Sequence, residues 1–209
     1  MYHLYYAPAT CSLAVHALLH EIAAPFDTTR ITLAEPRPES FLKVNPRGSV
    51  PVLTHGELAV REGGAILTYL ADAHQSPLLP RDGAARAKAL EWLMFANATL
   101  HPTYSRSFFL ARQLGADEAG NHPLYVATIE AIQKYWNEIE AELASRDYIA
   151  SDQPTLADIL LTVIGGWNGW LLQPIQFGPK TQALFARIQA RPAFAKAVAT
   201  ETAAQKAAA

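Results

Sequence analysis

Val44-Asn45-Pro46-Arg47-Gly48-Ser49-Val50-Pro51-Val52-Leu53 leads into Thr54-His55-Gly56-Glu57, then Leu58-Ala59-Val60 and Arg61-Glu62-Gly63-Gly64-Ala65-Ile66. A polar turn delivers a strand that opens on a proline, a position where a strand tolerates one. His55-Gly56 closes a hairpin between Val52-Leu53-Thr54 and Leu58-Ala59-Val60. Gly63 to His74 follows as a helix, with Ile66, Leu67, Tyr69 and Leu70 apolar at helical spacing. Strand, strand, helix is thus the second half of an α/β unit.

The first half lies upstream. Tyr2-His3-Leu4-Tyr5-Tyr6 is aromatic-rich and stops before Pro8, as a strand does. Cys11 to Ile22 reads as a helix carrying Leu13, Val15, Ala17 and Leu18, and Phe26 to Leu33 as a second strand with threonines at 28, 29 and 32. Glu35 to Ser40 reads as a polar, Pro-rich loop. Downstream, Gln75 to Asp82 has the composition of a linker, with Pro77 and Pro80 around two leucines. Beyond it the chain is helical: Ala84 to Leu114, Pro123 to Ser145, Thr155 to Trp167, Thr181 to Ala190, and Pro192 onward. Pro102 is expected to kink or end the first of these, because it lacks an N–H and clashes one turn back. Gly115 to Asn121 is the clearest break. Thr155-Leu156-Ala157-Asp158 has the form of a capping box. The Ala-rich stretch from Ala197 is expected to fray.

Composition narrows the function. Half of the 209 residues are hydrophobic and 17% are charged, which excludes disorder. A net charge of −2 without a block of like charges gives no reason to expect nucleic acid or an anionic membrane as partner. One cysteine excludes an internal disulfide framework and a Cys-rich zinc site, and fits a reducing, cytoplasmic compartment. Met1 to His20 does not read as a signal peptide. Ile159 to Pro179 is uncharged for 21 residues, but two prolines and four glycines divide it into a buried helix and a loop rather than a membrane span.

Four places can carry chemistry. Cys11 opens a helix after a strand and a turn; the helix end and its free N–H groups stabilise a thiolate, its own or a ligand's. Tyr6 and Ser12 lie close in sequence and can donate to a sulfur anion. The alternative for Cys11 is an ordinary small buried residue. Val50-Pro51 is a candidate cis bond, which would leave the Val50 backbone to pair with an extended peptide; an ordinary trans loop proline is the alternative. Glu62-Gly63 starts a helix, where N–H groups bind a carboxylate and Glu62 can hold an ammonium group; a helix-start acid serving only the dipole is the alternative. His101 lies mid-helix before Pro102; the alternative is a histidine satisfied in an interhelix contact. His16 and His20 have an i, i+4 spacing suited to a metal, but no third ligand follows at a suitable spacing, so no metal is expected.

Together these segments resemble a cytosolic glutathione transferase, most closely the bacterial beta class, in which a cysteine replaces the tyrosine or serine used elsewhere. The resemblance is carried by Leu4-Tyr5-Tyr6 through Cys11-Ser12-Leu13-Ala14, by Val44 to Leu53, and by Arg61 to Ile66 with Tyr69-Leu70-Ala71-Asp72. Glu91-Trp92-Leu93, Leu100-His101 and Thr155 to Asp158 extend it over nearly the whole chain. It implies a glutathione transferase fold: an α/β thioredoxin-like N-terminal domain over 1–76, a joint at 77–83 and an all-α helical-bundle domain over 84–209, in a homodimer. It also implies glutathione as co-substrate. Cys11 would meet the glutathione sulfur, Val50 with cis Pro51 its cysteinyl backbone, Glu62 and Gly63 its γ-glutamyl end, and His101 the thiol from the helical domain. Three positions depart from the beta-class pattern: Pro102 stands where Lys is usual, Met94 where Asn is, and Arg37 is the substitute for a loop lysine.

The expected activity is attack of activated glutathione on a hydrophobic electrophile, with Trp136, Trp167, Trp170 and Phe108-Phe109 building core or substrate wall. Two other readings accompany it. One is monothiol disulfide exchange or peroxidase chemistry through Cys11; the other is non-catalytic binding of apolar ligands.

Overall fold

The computed structural model describes residues 1–206. They form two compact units: Met1–Arg81 together with the described residues from Gln189 on, and Asp82–Ile188.

In the first unit, β1 (Tyr2–Tyr6), α1 (Ser12–Glu21), β2 (Phe26–Arg30), α2 (Glu39–Val44), β3 (Val52–His55), β4 (Leu58–Arg61) and α3 (Gly63–Ala73) follow one another. The sheet order is β2-β1-β3-β4. β1 pairs parallel to β2, with Tyr2 opposite Phe26, and antiparallel to β3, with Leu4 opposite Leu53. β3 and β4 form the expected hairpin. Alternation along β1 sends Tyr2, Leu4 and Tyr6 to the buried face, against which α1 and α3 pack. Tyr5 and Val52 are register partners and so share the opposite face, where Phe41 packs on Val52 and Ile31.

Two expectations do not hold in this unit. β2 ends at Arg30, not Leu33, and the loop expected through Ser40 gives way at Glu39 to α2. That six-residue helix is too short to hold itself. Phe41, 1% exposed, anchors it, which is worth about 1.5–3 kcal/mol of apolar burial.

In the second unit, α4 (Gly83–Met94) runs into a π-helical turn, Phe95–Leu100, and then into α5 (His101–Leu114). Pro102 does not end this run. It falls in the first turn of α5, where its missing N–H costs little, and the π-helical turn absorbs the irregularity before it. α6 (Ala116–Ala119) occupies the expected break. α7 (Pro123–Glu142), α8 (Leu156–Gly165) and α9 (Pro179–Gln189) complete the unit. α8 is buried along its whole length, as a helix apolar at every position but Asp158 and Thr162 requires. Its capping box is present: Asp158 Oδ2 accepts from the Thr155 N–H at 2.7 Å and the Thr155 hydroxyl at 2.8 Å.

α10 (Pro192–Lys206) is helical where fraying was expected from Ala197; Ala207 to Ala209 lie outside the described residues. It packs on α1, so these residues group with the N-terminal unit rather than with the helical domain expected over 84–209. With the sheet and α3 inside and α10 outside, α1 is buried from Ser12 through Leu19. Arg30 Nη1 donates to the Ala204 carbonyl at 2.7 Å, and Arg191 pairs with Glu21.

Candidate functional site

Cys11 is the N-cap of α1, as expected of a helix-opening cysteine, although the helix proper begins at Ser12. The loop that brings it there folds on its own polar groups. Ser12 Oγ, fully buried, donates to the Ala7 carbonyl at 2.9 Å and accepts from the Ala7 N–H at 3.2 Å; Thr10 Oγ1 lies 2.8 Å from it. The Ser12 hydroxyl therefore serves the loop. Tyr6 is likewise turned to another neighbourhood, with its ring 5.5 Å from that of His16. Burial and the nearby Glu201 charge raise the Tyr6 phenol pKa, against a smaller opposing pull from Arg30.

The Cys11 thiol donates to the Val50 carbonyl, Sγ to O 3.8 Å. Cys11 is 7% exposed, and burial pushes its thiol up to about 12. The N–H groups of Cys11 and Ser12 pull the other way and Glu62 adds to the rise, but burial dominates. The helix end thus does not make Cys11 a thiolate. At neutral pH it is a hydrogen-bond donor.

The Val50-Pro51 bond is cis. The turn before it is held by Asn45, fully buried, whose Nδ2 donates to the Ser49 carbonyl at 2.7 Å and whose Oδ1 accepts from the Arg47 N–H at 3.3 Å. None of these bonds uses the Val50 N–H. Sequence reasoning gives Asn45 no role beyond its place in the motif; an Asx-type turn before a proline is the signal that marks it as a support. Gly48 has φ +66°, and a Cβ there would meet Arg37 Cγ at 3.1 Å. Arg37 itself donates to the carbonyls of Gly48, Thr32, Leu33 and Glu35. Its Nε and Nη1 stitch the loop together instead of reaching outward as a lysine would.

Glu62 takes φ +76° at the N-cap of α3, a left-handed conformation strained for a residue with a side chain. Its carboxylate is exposed and pairs with Arg47 Nη1 at 2.6 Å. Gly63 and Gly64, both buried, begin the helix behind it. The structure therefore brings Cys11 and Val50 into contact, with the Glu62 charge felt at the thiol.

In the helical unit, His101 stands where the π-helical turn passes into α5, half-buried, its ring 5.0 Å from that of Trp167. Tyr104 and Phe108 continue the same face of α5 to Trp167, and Trp170 lies parallel to Trp167 within 9° at 6.5 Å. Tyr104 is fully buried and accepts from Trp136 Nε1 at 2.9 Å; burial raises its phenol pKa. Trp136 is therefore core, whereas Trp170 and Phe109, each 53% exposed, belong to an aromatic surface.

The family model for the glutathione S-transferase N-terminal domain matches residues 1–72, and that for the C-terminal domain residues 96–192. A Xanthomonas campestris pv. campestris protein named glutathione S-transferase GST-4.5 is 34% identical over 166 residues, covering 78% of this chain and 81% of its own length. The chain belongs to the glutathione S-transferase family. Glutathione S-transferase GstA of Escherichia coli O157:H7 is 30% identical over 95% of this chain and 98% of its own length. Among solved structures, a sphingomonad glutathione S-transferase complexed with glutathione superposes with a TM-score of 0.83 at 32% identity, covering 96% of this chain and 98% of that one. The bacterial beta-class enzyme of Sphingomonas chungbukensis gives 0.82 at 31% identity, over 95% and 98%. The α/β unit with sheet order β2-β1-β3-β4 and the helical unit are those of the glutathione S-transferase fold. None of the described helices is long and apolar enough to cross a membrane.

Proposed function

We propose that this chain binds glutathione on its N-terminal unit and transfers it, through the sulfur, to a hydrophobic electrophile. The observation that carries this reading is the meeting of the Cys11 thiol with the Val50 carbonyl beside cis Pro51. The Val50 backbone suits the cysteinyl part of the tripeptide; Glu62 and the Gly63 helix start suit its ammonium and carboxylate. Arg37 is the weakest member of the proposed set, since its Nε and Nη1 are already engaged.

Activation means stabilising the glutathione thiolate, which is the nucleophile. Lowering a thiol pKa from roughly 9 to between 6 and 7 takes about 3–4 kcal/mol. The α1 N-terminus supplies about 0.3–2 kcal/mol, and hydrogen bonds to a charged sulfur about 1.5–3 kcal/mol each. Cys11 is poised to give one such bond because burial keeps its proton in place. The thiolate then forms the new C–S bond, the leaving group departs with the electrons of the bond that breaks, and the thiol proton passes to solvent. His101 is proposed to approach the sulfur from the helical unit, and Trp167, Trp170 and Phe108 to receive the electrophile. The same buried, protonated thiol argues against disulfide exchange, which needs Cys11 as thiolate. A homodimer in the cytoplasm is the assembly and place this reading expects.

Isothermal titration of glutathione into wild type, Cys11→Ser and Cys11→Ala, beside conjugation kinetics, tests it. Wild type is expected to bind in the micromolar to millimolar range and to conjugate a halonitroarene above background. Cys11→Ser should retain conjugation, since a hydroxyl donates better than a thiol. Cys11→Ala should lose about tenfold or more in kcat/KM. Binding of hydrophobic dyes with no conjugation by any variant would instead establish a non-catalytic binder.

A further inference from the structure

We propose that Glu201, on α10, is a positioning residue for Cys11. Its carboxylate is buried, with the residue 3% exposed, and its two oxygens go to the two sides of the cysteine. Oε2 accepts from the Ala9 N–H at 2.9 Å, two residues before Cys11. Oε1 accepts from His16 Nδ1 at 3.1 Å, on the second turn of the helix that Cys11 caps.

A buried carboxylate demands such partners, and here their placement is specific. Ala9 has φ +59°, which an alanine does not adopt without a restraint. The Ser12 and Thr10 hydroxyls fix the loop from within, at Ala7. Glu201 reaches Ala9 from outside the loop, from the far end of the chain. Because one rigid carboxylate holds both the loop and the helix, the position of Cys11 relative to Val50 depends on a side chain 190 residues further along. α10 keeps other attachments that do not involve Glu201: Arg30 to the Ala204 carbonyl, Arg191 to Glu21, and buried Phe194. Removing the carboxylate therefore releases the loop while leaving the helix docked.

The inference rests on the proposed role of Cys11 only where glutathione is used, so the primary readout is independent of it. Cys11 is the sole cysteine, and its alkylation by iodoacetamide reports the loop directly. Glu201→Ala is expected to speed alkylation about tenfold or more, by opening the loop. Glu201→Gln, whose amide oxygen can still accept from Ala9, should stay near wild type. Phe194→Ala, which loosens α10 without removing the carboxylate, should speed alkylation less than Glu201→Ala does, because Arg30 and Arg191 still hold the C-terminal segment. Equal rates in Glu201→Ala and wild type, or equal acceleration by Phe194→Ala, would overturn the proposal.

Should Glu201→Ala fail to fold, hydrogen exchange on the unaltered protein decides. The Ala9 amide is expected to exchange at the opening rate of α10; exchange as fast as an unbonded loop amide overturns the proposal. Titration of glutathione forms the second arm, with affinity falling about tenfold in Glu201→Ala and recovering in Glu201→Gln. If wild type binds no glutathione, the proposed function fails, while the alkylation and exchange results still decide the role of Glu201.

Discussion

In the N-terminal unit the buried polar side chains other than Ser76 gather at two irregular pieces of backbone: Ser12, His16 and Glu201 around the Cys11 loop, and Asn45 at the turn before Pro51. In the helical unit they mostly serve regular structure. Asp158 and Thr155 cap α8, and Thr103 and Ser107 donate to carbonyls one turn back in their own helix. The same chemistry, a polar group kept from water by a hydrogen bond, thus does two jobs. One stabilises helices that would form in any bundle. The other shapes backbone that no regular element would hold, in the unit where the proposed ligand binds. Substitutions in the first set should cost stability, and those in the second should cost binding before stability.

The largest effect is expected at Asp158. It accepts from Thr155 N–H and hydroxyl and from the Ile149 N–H at 2.8 Å, all out of contact with water. Asp158→Ala strands these donors and should lower the unfolding free energy by about 3–5 kcal/mol. Urea denaturation measures it, and a loss below about 1 kcal/mol would break the contrast between the units. Asn45→Ala comes next, with about 1–2 kcal/mol of stability lost but glutathione affinity reduced about tenfold, read by calorimetry. Loss of stability with unchanged affinity would put Asn45 on the helical unit's side of the comparison.

The smallest effect is a pH dependence at His20. Burial, then His16 and Lys196, lower its pKa from 6.5 to about 4. The folded protein resists the proton that the unfolded chain accepts, so the stability tied to neutral His20 is complete above pH 6.5 and is lost as pH falls toward 4. The slope stays below about 1.4 kcal/mol per pH unit, the limit for one proton, and solvent screening of the half-buried ring reduces it further. His20→Leu should flatten this part of the stability curve; an unchanged slope would place the titrating group elsewhere.

Much of this was legible in the sequence where local signals and long-range structure agree. Val52 to His55 and Leu58 to Arg61 carry strand residues around a turn, and Thr155 with Asp158 form a box complete within four residues. The cis bond is a candidate in the sequence because Val50-Pro51 opens a strand. What escapes depends on distant partners. α2 exists because Phe41 finds Ile31 and Val52, which its Pro-rich surroundings do not announce. Glu201 lies in an Ala-rich stretch that reads as a frayed end. Its one indirect signal is His16, a polar ring set between apolar Val15 and Ala17, which must find an acceptor somewhere. At Cys11 helix end and burial compete, and only the structure gives the burial that wins.

The π-helical turn before His101 also sets a phase. A π turn takes in one residue more than an α turn, and each residue of a helix rotates its successor by about 100°. α5 is therefore turned relative to the face that an unbroken α4 would have continued. That offset is what lines up His101, Tyr104 and Phe108 with Trp167. The aromatic surface of the helical unit is in this sense set by one surplus residue: remove it, and the same three rings would project about a quarter-turn away with no change in their identity.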